Sequence, residues 1–238
     1  MDIGKAFSFV FEDENWVRKM LYGVGWTILC ILILPFFVIA GYGVAVARNV
    51  RNGVENPLPE WDNYGDLFSE GFAVSMAQFV YALPATILMF VGGVTAGLGG
   101  ATENEAIFFV GGGVMILLSC VAMLWMLALV AISPAIYIQY LKHGTFSSCM
   151  DFREVIRLTR ENLSELLVAV LIIFGANMML GVVMTIPCLN LLVGLASLAY
   201  ITMFSGHIYG QLAISIIGGG KGDKFDDIIM PDDMSWGD

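Results

Sequence analysis

Residues 166–220 read LLVAVLIIFGANMMLGVVMTIPCLNLLVGLASLAYITMFSGHIYGQLAISIIGGG, without one Asp, Glu, Lys or Arg. A helix crosses the hydrocarbon of a bilayer in about 20 residues, and a charge at its centre costs at least about 2.5 kcal/mol. The stretch therefore holds two membrane helices, with the turn expected at Ile186-Pro187-Cys188-Leu189-Asn190. Outward from it lie three more charge-free stretches, residues 21–47, 71–102 and 106–141. All 11 basic and 21 acidic side chains fall outside the four. Across the 238 residues, 58% are apolar and 13% charged, where a soluble domain carries roughly 25% charged residues. The mean hydropathy is +0.80. A soluble domain is excluded, and the chain reads as an all-α polytopic membrane protein embedded in a lipid bilayer.

Residues 71–102 and 106–141 hold one span each. The second is longer than a bilayer needs, so its helix projects into water or kinks at Pro134. Residues 21–47 admit two readings, one tilted helix or a short hairpin turning near Pro35. Basic residues favour the cytoplasmic side. Lys5, Arg18 and Lys19 precede this stretch, Arg48 and Arg51 follow it, and Lys142, Arg153, Arg157 and Arg160 separate the third and fourth stretches. The hairpin places every basic residue on one side. The expectation is six membrane helices in three hairpins, the first short or re-entrant, with both termini cytoplasmic; five spans is the alternative. The membrane domain covers residues 1–217 and an acidic tail residues 218–238.

Three segments between the spans are amphipathic. Residues 1–16 predict an interfacial helix with Phe7, Val10 and Phe11 on one face and Trp16 as its anchor. Residues 142–165 predict a cytoplasmic one, with Phe152, Val155, Ile156, Leu163 and Leu166 opposite Arg153, Arg157 and Arg160. Glu154, Glu161 and Glu165 dilute that positive charge. Residues 48–70 form a cytoplasmic loop in which Pro57 and Pro59 hold Leu58 extended. Trp61, Tyr64 and Phe68 then recur at helical spacing and read as a belt anchor or a partner-docking surface. Phe225 and Trp236 are apolar islands in the acidic tail that suit a partner-binding peptide. A faint repeat of amphipathic lead-in plus hairpin runs through the chain.

Met1-Asp-Ile-Gly-Lys-Ala-Phe7, Phe11-Glu-Asp13, Trp16, Arg48-Asn-Val50, Asn56-Pro-Leu-Pro-Glu-Trp-Asp62, Gly65, Leu67-Phe68, His207 and Gly210-Gln211 together resemble the prokaryotic membrane-protein family catalogued as domain of unknown function four-zero-one-three. The resemblance covers most of the chain, and the Asn-Pro-Leu-Pro-Glu-Trp run is its most specific part. It implies a multi-helix integral protein of a prokaryotic inner or plasma membrane, and no activity.

Chemistry-bearing residues are sparse. The two histidines, His143 and His207, and four cysteines show no metal-ligand spacing. Cys30 and Cys188 allow a disulfide at the outer face. No phosphate-binding glycine loop occurs, and no nucleophile–base pair follows from spacing, so no catalytic residue and no cofactor is assigned. His207 and Gln211 lie one turn apart on the last helix. Three readings of His207 stand open: interhelical packing, a polar cavity shared with Gln78, Asn177, Asn190 and Gln211, or a tetrapyrrole ligand. Gly93-x-x-x-Gly97, Gly206-x-x-x-Gly210 and Gly111-Gly-Gly113 mark close helix approaches, within the chain or with a partner. The net charge of −10 excludes nucleic acid as a partner. Two functions follow: a non-catalytic accessory, scaffold or assembly subunit of a membrane complex, partnered by another membrane protein or by copies of itself, or a small transporter or channel for an uncharged or lipidic substrate.

Overall fold

The computed structural model describes residues 1–101 and 105–218, and among these every regular element is helical. Helix α1 (Ile3–Glu12) starts where the Asp2 carboxylate accepts the Lys5 amide at 2.9 Å, a side-chain cap on an otherwise unpaired donor. Helix α2 (Trp16–Leu29) ends in one 3-10 turn (Cys30–Leu32), and α3 (Leu34–Arg51) follows. The break falls at Ile33, whose φ of +67° is a strained conformation for a β-branched residue. Pro35 lies in the first turn of α3, where its missing N–H leaves no bond unmade. The charge-free stretch 21–47 is thus two helices.

Helices α4 (Tyr64–Gly100) and α5 (Glu105–His143) are the longest, and each runs on through an internal proline, Pro84 and Pro134. Then come α6 (Phe146–Cys149), α7 (Phe152–Glu161), α8 (Leu163–Met184) and α9 (Pro187–Ile217). Segment 142–165 accordingly takes in the end of α5, all of α6 and α7 and the start of α8, and is not one amphipathic helix. The last turn is also tighter than expected: α9 begins at Pro187, because proline is well suited to a helix's first turn. Among the described residues three helices are long and apolar enough to cross a membrane: α4, α5 from Ala106 onward, and α8. At 1.5 Å per residue the 39 residues of α5 span about 58 Å, well beyond a hydrocarbon core of about 30 Å.

Helix α3 is the centre of the packing, between α4 on one side and α9 on the other. Small residues bring these axes together. A Cβ at Gly71 would overlap the Phe37 carbonyl, and one at Gly41 would overlap the Leu67 carbonyl, so α3 and α4 touch backbone to backbone. On the other face, a Cβ at Gly210 would stand 2.6 Å from both the Ala47 carbonyl oxygen and Val50, and one at Gly206 would overlap the Gly43 carbonyl. Gly206-x-x-x-Gly210 is therefore a close-approach face against α3. Gly93 and Gly97 meet nothing within 4 Å, while Gly111 packs on Thr95 of α4. Tyr42, Val44 and Ala47 of α3 and Phe204, Ile208 and Leu212 of α9 are fully enclosed in the core.

Candidate functional site

The most elaborate polar arrangement surrounds Pro57-Leu58-Pro59-Glu60-Trp61. Neither proline has an N–H to satisfy, and extended backbone leaves its carbonyls free for side chains. Each carbonyl in turn accepts from a different side chain. Asn49 Nδ2 donates to Pro57 at 3.0 Å, Lys19 Nζ to Leu58 at 2.8 Å and Tyr42 Oη to Pro59 at 2.9 Å. Leu58 is buried with Phe9, Val10 and Tyr42. Trp61 stacks on Tyr42 with ring centroids 4.0 Å apart and planes 13° apart, and its indole N–H donates to the Lys19 carbonyl at 3.0 Å.

Lys19 is the hub. Its ammonium, with the side chain 6% exposed, contacts Asp13 Oδ2 at 2.8 Å and Glu60 Oε1 at 3.1 Å as well as the Leu58 carbonyl. An ammonium has three donors, and three acceptors meet it. Asp13 Oδ1 also accepts the Asn15 amide at 2.7 Å. Burial pushes the Asp13 carboxyl up, but the Lys19 hydrogen bond, the Asn15 amide and the charges of Lys19 and Arg18 together hold it below its ordinary value. Arg18 closes over the outside on Glu60 at 2.7 Å.

A second seam joins α1 to α9. Tyr200, Phe204, His207 and Gln211 lie along one stripe of α9. Phe11 lies 6.5 Å from Tyr200, Phe7 lies 4.6 Å from Phe204, and Phe9 stacks on His207 at 4.3 Å. Gln211 clamps the Asp2 peptide at two points, accepting its N–H at 2.7 Å and donating to its carbonyl at 3.0 Å. The buried face of α1 is Ala6, Phe9 and Val10, whereas Phe11 is 54% exposed. The face expected from spacing alone is thus rotated toward Phe9, because α1 docks on α9.

The five residues expected to share a polar cavity have different surroundings. Gln78 faces a cleft of about 400 Å³ between α4 and α5, with Ser75 and Ser133. Asn177 donates to the Ile173 carbonyl of its own helix at 2.9 Å, and Asn190 to the Met184 carbonyl at 2.8 Å across the α8–α9 turn. Only His207 and Gln211 are brought together, and what they hold is α1. His207 is 3% exposed, and neither ring nitrogen has a hydrogen-bond partner among the described residues.

The expected docking residues divide similarly. Trp61 is 7% exposed and faces the chain's own interior, because its indole is held by Lys19. It precedes α4 rather than sharing a helical face with Tyr64 and Phe68. Tyr64 packs its ring 5.2 Å from Trp26, and Phe68 packs against Phe37 and Phe72. Phe225 and Trp236 lie outside the described residues. The Cys30 thiol is free, and the Cys188 side chain is outside the described set. No group of three His, Cys, Asp or Glu suited to a metal occurs among the described residues. The Lys19–Asp13 pair was the residue set that spacing missed; its one trace in the sequence is a lysine placed at the edge of an apolar stretch, within reach of an acidic run.

A family model described as protein of unknown function (DUF4013) matches residues 28–189, more than half of the chain, and the chain belongs to that family. No curated protein and no solved structure matches it.

Proposed function

We propose that this member of the family is a non-catalytic accessory or scaffold subunit of a prokaryotic membrane complex, built as six membrane helices in three hairpins (α2–α3, α4–α5 and α8–α9) with both ends of the chain on the cytoplasmic side. The observation that carries the reading is how the buried polar groups are used. Among the described residues six polar side chains are buried; the Gln139 side-chain oxygen and both His207 nitrogens have no hydrogen-bond partner, while Asp13, Lys19, Arg51 and Thr159 are engaged by each other or by backbone carbonyls. Such a centre fixes helix ends; it does not bind or transform a small molecule.

Membrane residence is supported by the three long apolar helices and by their surface, on which Phe90, Phe109, Ile116 and Val182 are about 70% exposed. An apolar surface of that breadth is incompatible with water as the surrounding solvent. The hairpins are supported by contacts between helix ends. Lys19 near the start of α2 reaches Leu58 after α3, and Arg48 near the end of α3 pairs with Glu70 near the start of α4 at 2.6 Å. Arg51 donates to the Leu141 carbonyl near the end of α5 at 2.7 Å, and Ser215 near the end of α9 donates to Glu165 at the start of α8 at 2.7 Å. These charged ends form one pole, which the positive-inside tendency assigns to the cytoplasm. With 14 and 18 residues, α2 and α3 span about 21 and 27 Å, which suits a shallow hairpin or a locally thinned bilayer.

Native mass spectrometry from mild detergent tests the role. The expected result is a fixed assembly, with a second protein or with further copies, that is unchanged in the His207→Phe variant. A lone chain carrying a small molecule that the variant loses would overturn the scaffold reading in favour of a transporter.

A further inference from the structure

Helix α7 is ordered by charge around its circumference. At about 100° per residue, its buried side carries Leu158, Val155 and Thr159. Next come the exposed apolar residues Phe152 and Ile156, 49% and 42% exposed. Arg160 and Arg153 follow, then Arg157, and last Glu161 and Glu154. Of the three glutamates that dilute the charge in the sequence, Glu154 and Glu161 therefore lie on the far side, where they pair with Arg157 at 2.5 and 4.0 Å, and Glu165 lies in the first turn of α8, where it accepts from Ser215. The exposed Arg153 and Arg160 border the apolar edge and have no ion-pair partner among the described residues.

That edge is one wall of a groove of about 310 Å³. Leu83, Pro84 and Ile87 of α4 and Trp125 of α5 complete it with Phe152 and Ile156. Its floor is rigid. The Tyr81 hydroxyl donates to the Cys149 carbonyl at 2.9 Å, the Trp125 indole donates to the Tyr81 carbonyl at 2.9 Å, and the Tyr81 ring packs 4.7 Å from Phe152. The groove runs onto the apolar outer surface of α4, where Ile87 is 57% exposed. It thus joins the face turned to the hydrocarbon to a cationic rim at the charged pole.

We infer that this groove holds one acyl chain of an anionic phospholipid, with Arg153 and Arg160 extended along the chain to the headgroup phosphate. The inference rests on the membrane reading above. A zwitterionic lipid fits the apolar walls equally but gains less from an arginine pair that no carboxylate of this helix neutralises.

The test is native mass spectrometry of the full-length protein titrated with phosphatidylglycerol or phosphatidylcholine of identical acyl chains, beside an alkaline-carbonate wash of the source membranes. The expected result is one saturable phosphatidylglycerol, preferred over phosphatidylcholine by about tenfold or more. The preference disappears in the surface variant Arg153→Gln/Arg160→Gln, and Leu83→Trp, which fills the groove, weakens both lipids. Equal binding of the two lipids by the wild type, an unchanged preference in the arginine variant, or a dimer without bound lipid would overturn the inference while the membrane reading stands. Release of the wild type by carbonate would remove the membrane reading and the inference with it.

Discussion

Lys19→Met is expected to destabilise the protein by about 3–5 kcal/mol, the range for breaking a buried ion pair from one side. The substitution keeps the aliphatic length and removes only the charge and its donors. Asp13, with its side chain 8% exposed, would then be a buried carboxylate without its principal cation, and the Leu58 carbonyl would lose its donor. Equilibrium unfolding in mixed micelles measures the loss. The paired replacement Asp13→Asn/Lys19→Met is expected to recover much of it, since no charge is then stranded. The same pair sets an acid limit. Because the folded Asp13 carboxyl lies below its ordinary value of 3.8, its contribution is complete above about pH 4 and is lost as pH falls through the folded value. Asp13→Asn should flatten that part of the stability profile relative to wild type; identical profiles would contradict the assignment.

Gly71→Ala is the second large effect. Its Cβ would overlap the Phe37 carbonyl and stand against the Gly41 amide, and backbone atoms cannot rotate away as a side chain can. Helices α3 and α4 must separate, at a cost of more than about 3 kcal/mol, at or beyond the upper end of ordinary overpacking. The Gly93→Ala/Gly97→Ala variant is the control, since both positions are open. It should be neutral or slightly stabilising through helix propensity. Thermal denaturation in detergent separates the two; a larger loss in the control would show that Gly93 and Gly97 carry a contact outside the chain.

Much of the fold was legible in where charges are absent. A charge in hydrocarbon is so costly that the four uncharged stretches coincide with the long helices and the α2–α3 pair. The boundaries were less legible for local reasons. The break between α2 and α3 falls at Ile33, close to Pro35 as expected, and the proline itself sits inside the first turn of α3. Segment 142–165 divides where Gly144, with φ of +65°, and the Asp151 cap, whose carboxylate accepts the Glu154 amide at 3.1 Å, end one helix and begin another.

The candidate site was legible only in parts. Asn-Pro-Leu-Pro-Glu-Trp stood out in the chain, yet its role depends on Lys19, Tyr42 and Asn49, which sequence separation conceals. Helical spacing puts His207 and Gln211 one turn apart, but it does not show what they hold, the Asp2 peptide and the Phe9 ring, more than 190 residues earlier in the chain. Periodicity identifies the face of a helix and is silent about which element covers it.

The arrangement of the charged pole is tested most directly by cysteine accessibility. Single cysteines at Ser8, Glu55, Ala101 and Thr185, in a background with the native cysteines replaced, would be labelled in intact cells with a membrane-impermeant maleimide. The hairpin arrangement predicts that positions 101 and 185 react from outside, while positions 8 and 55 react only after the membrane is opened. Labelling of position 8 from outside with position 55 protected would show that α2 and α3 cross as a single span, and would contradict the account.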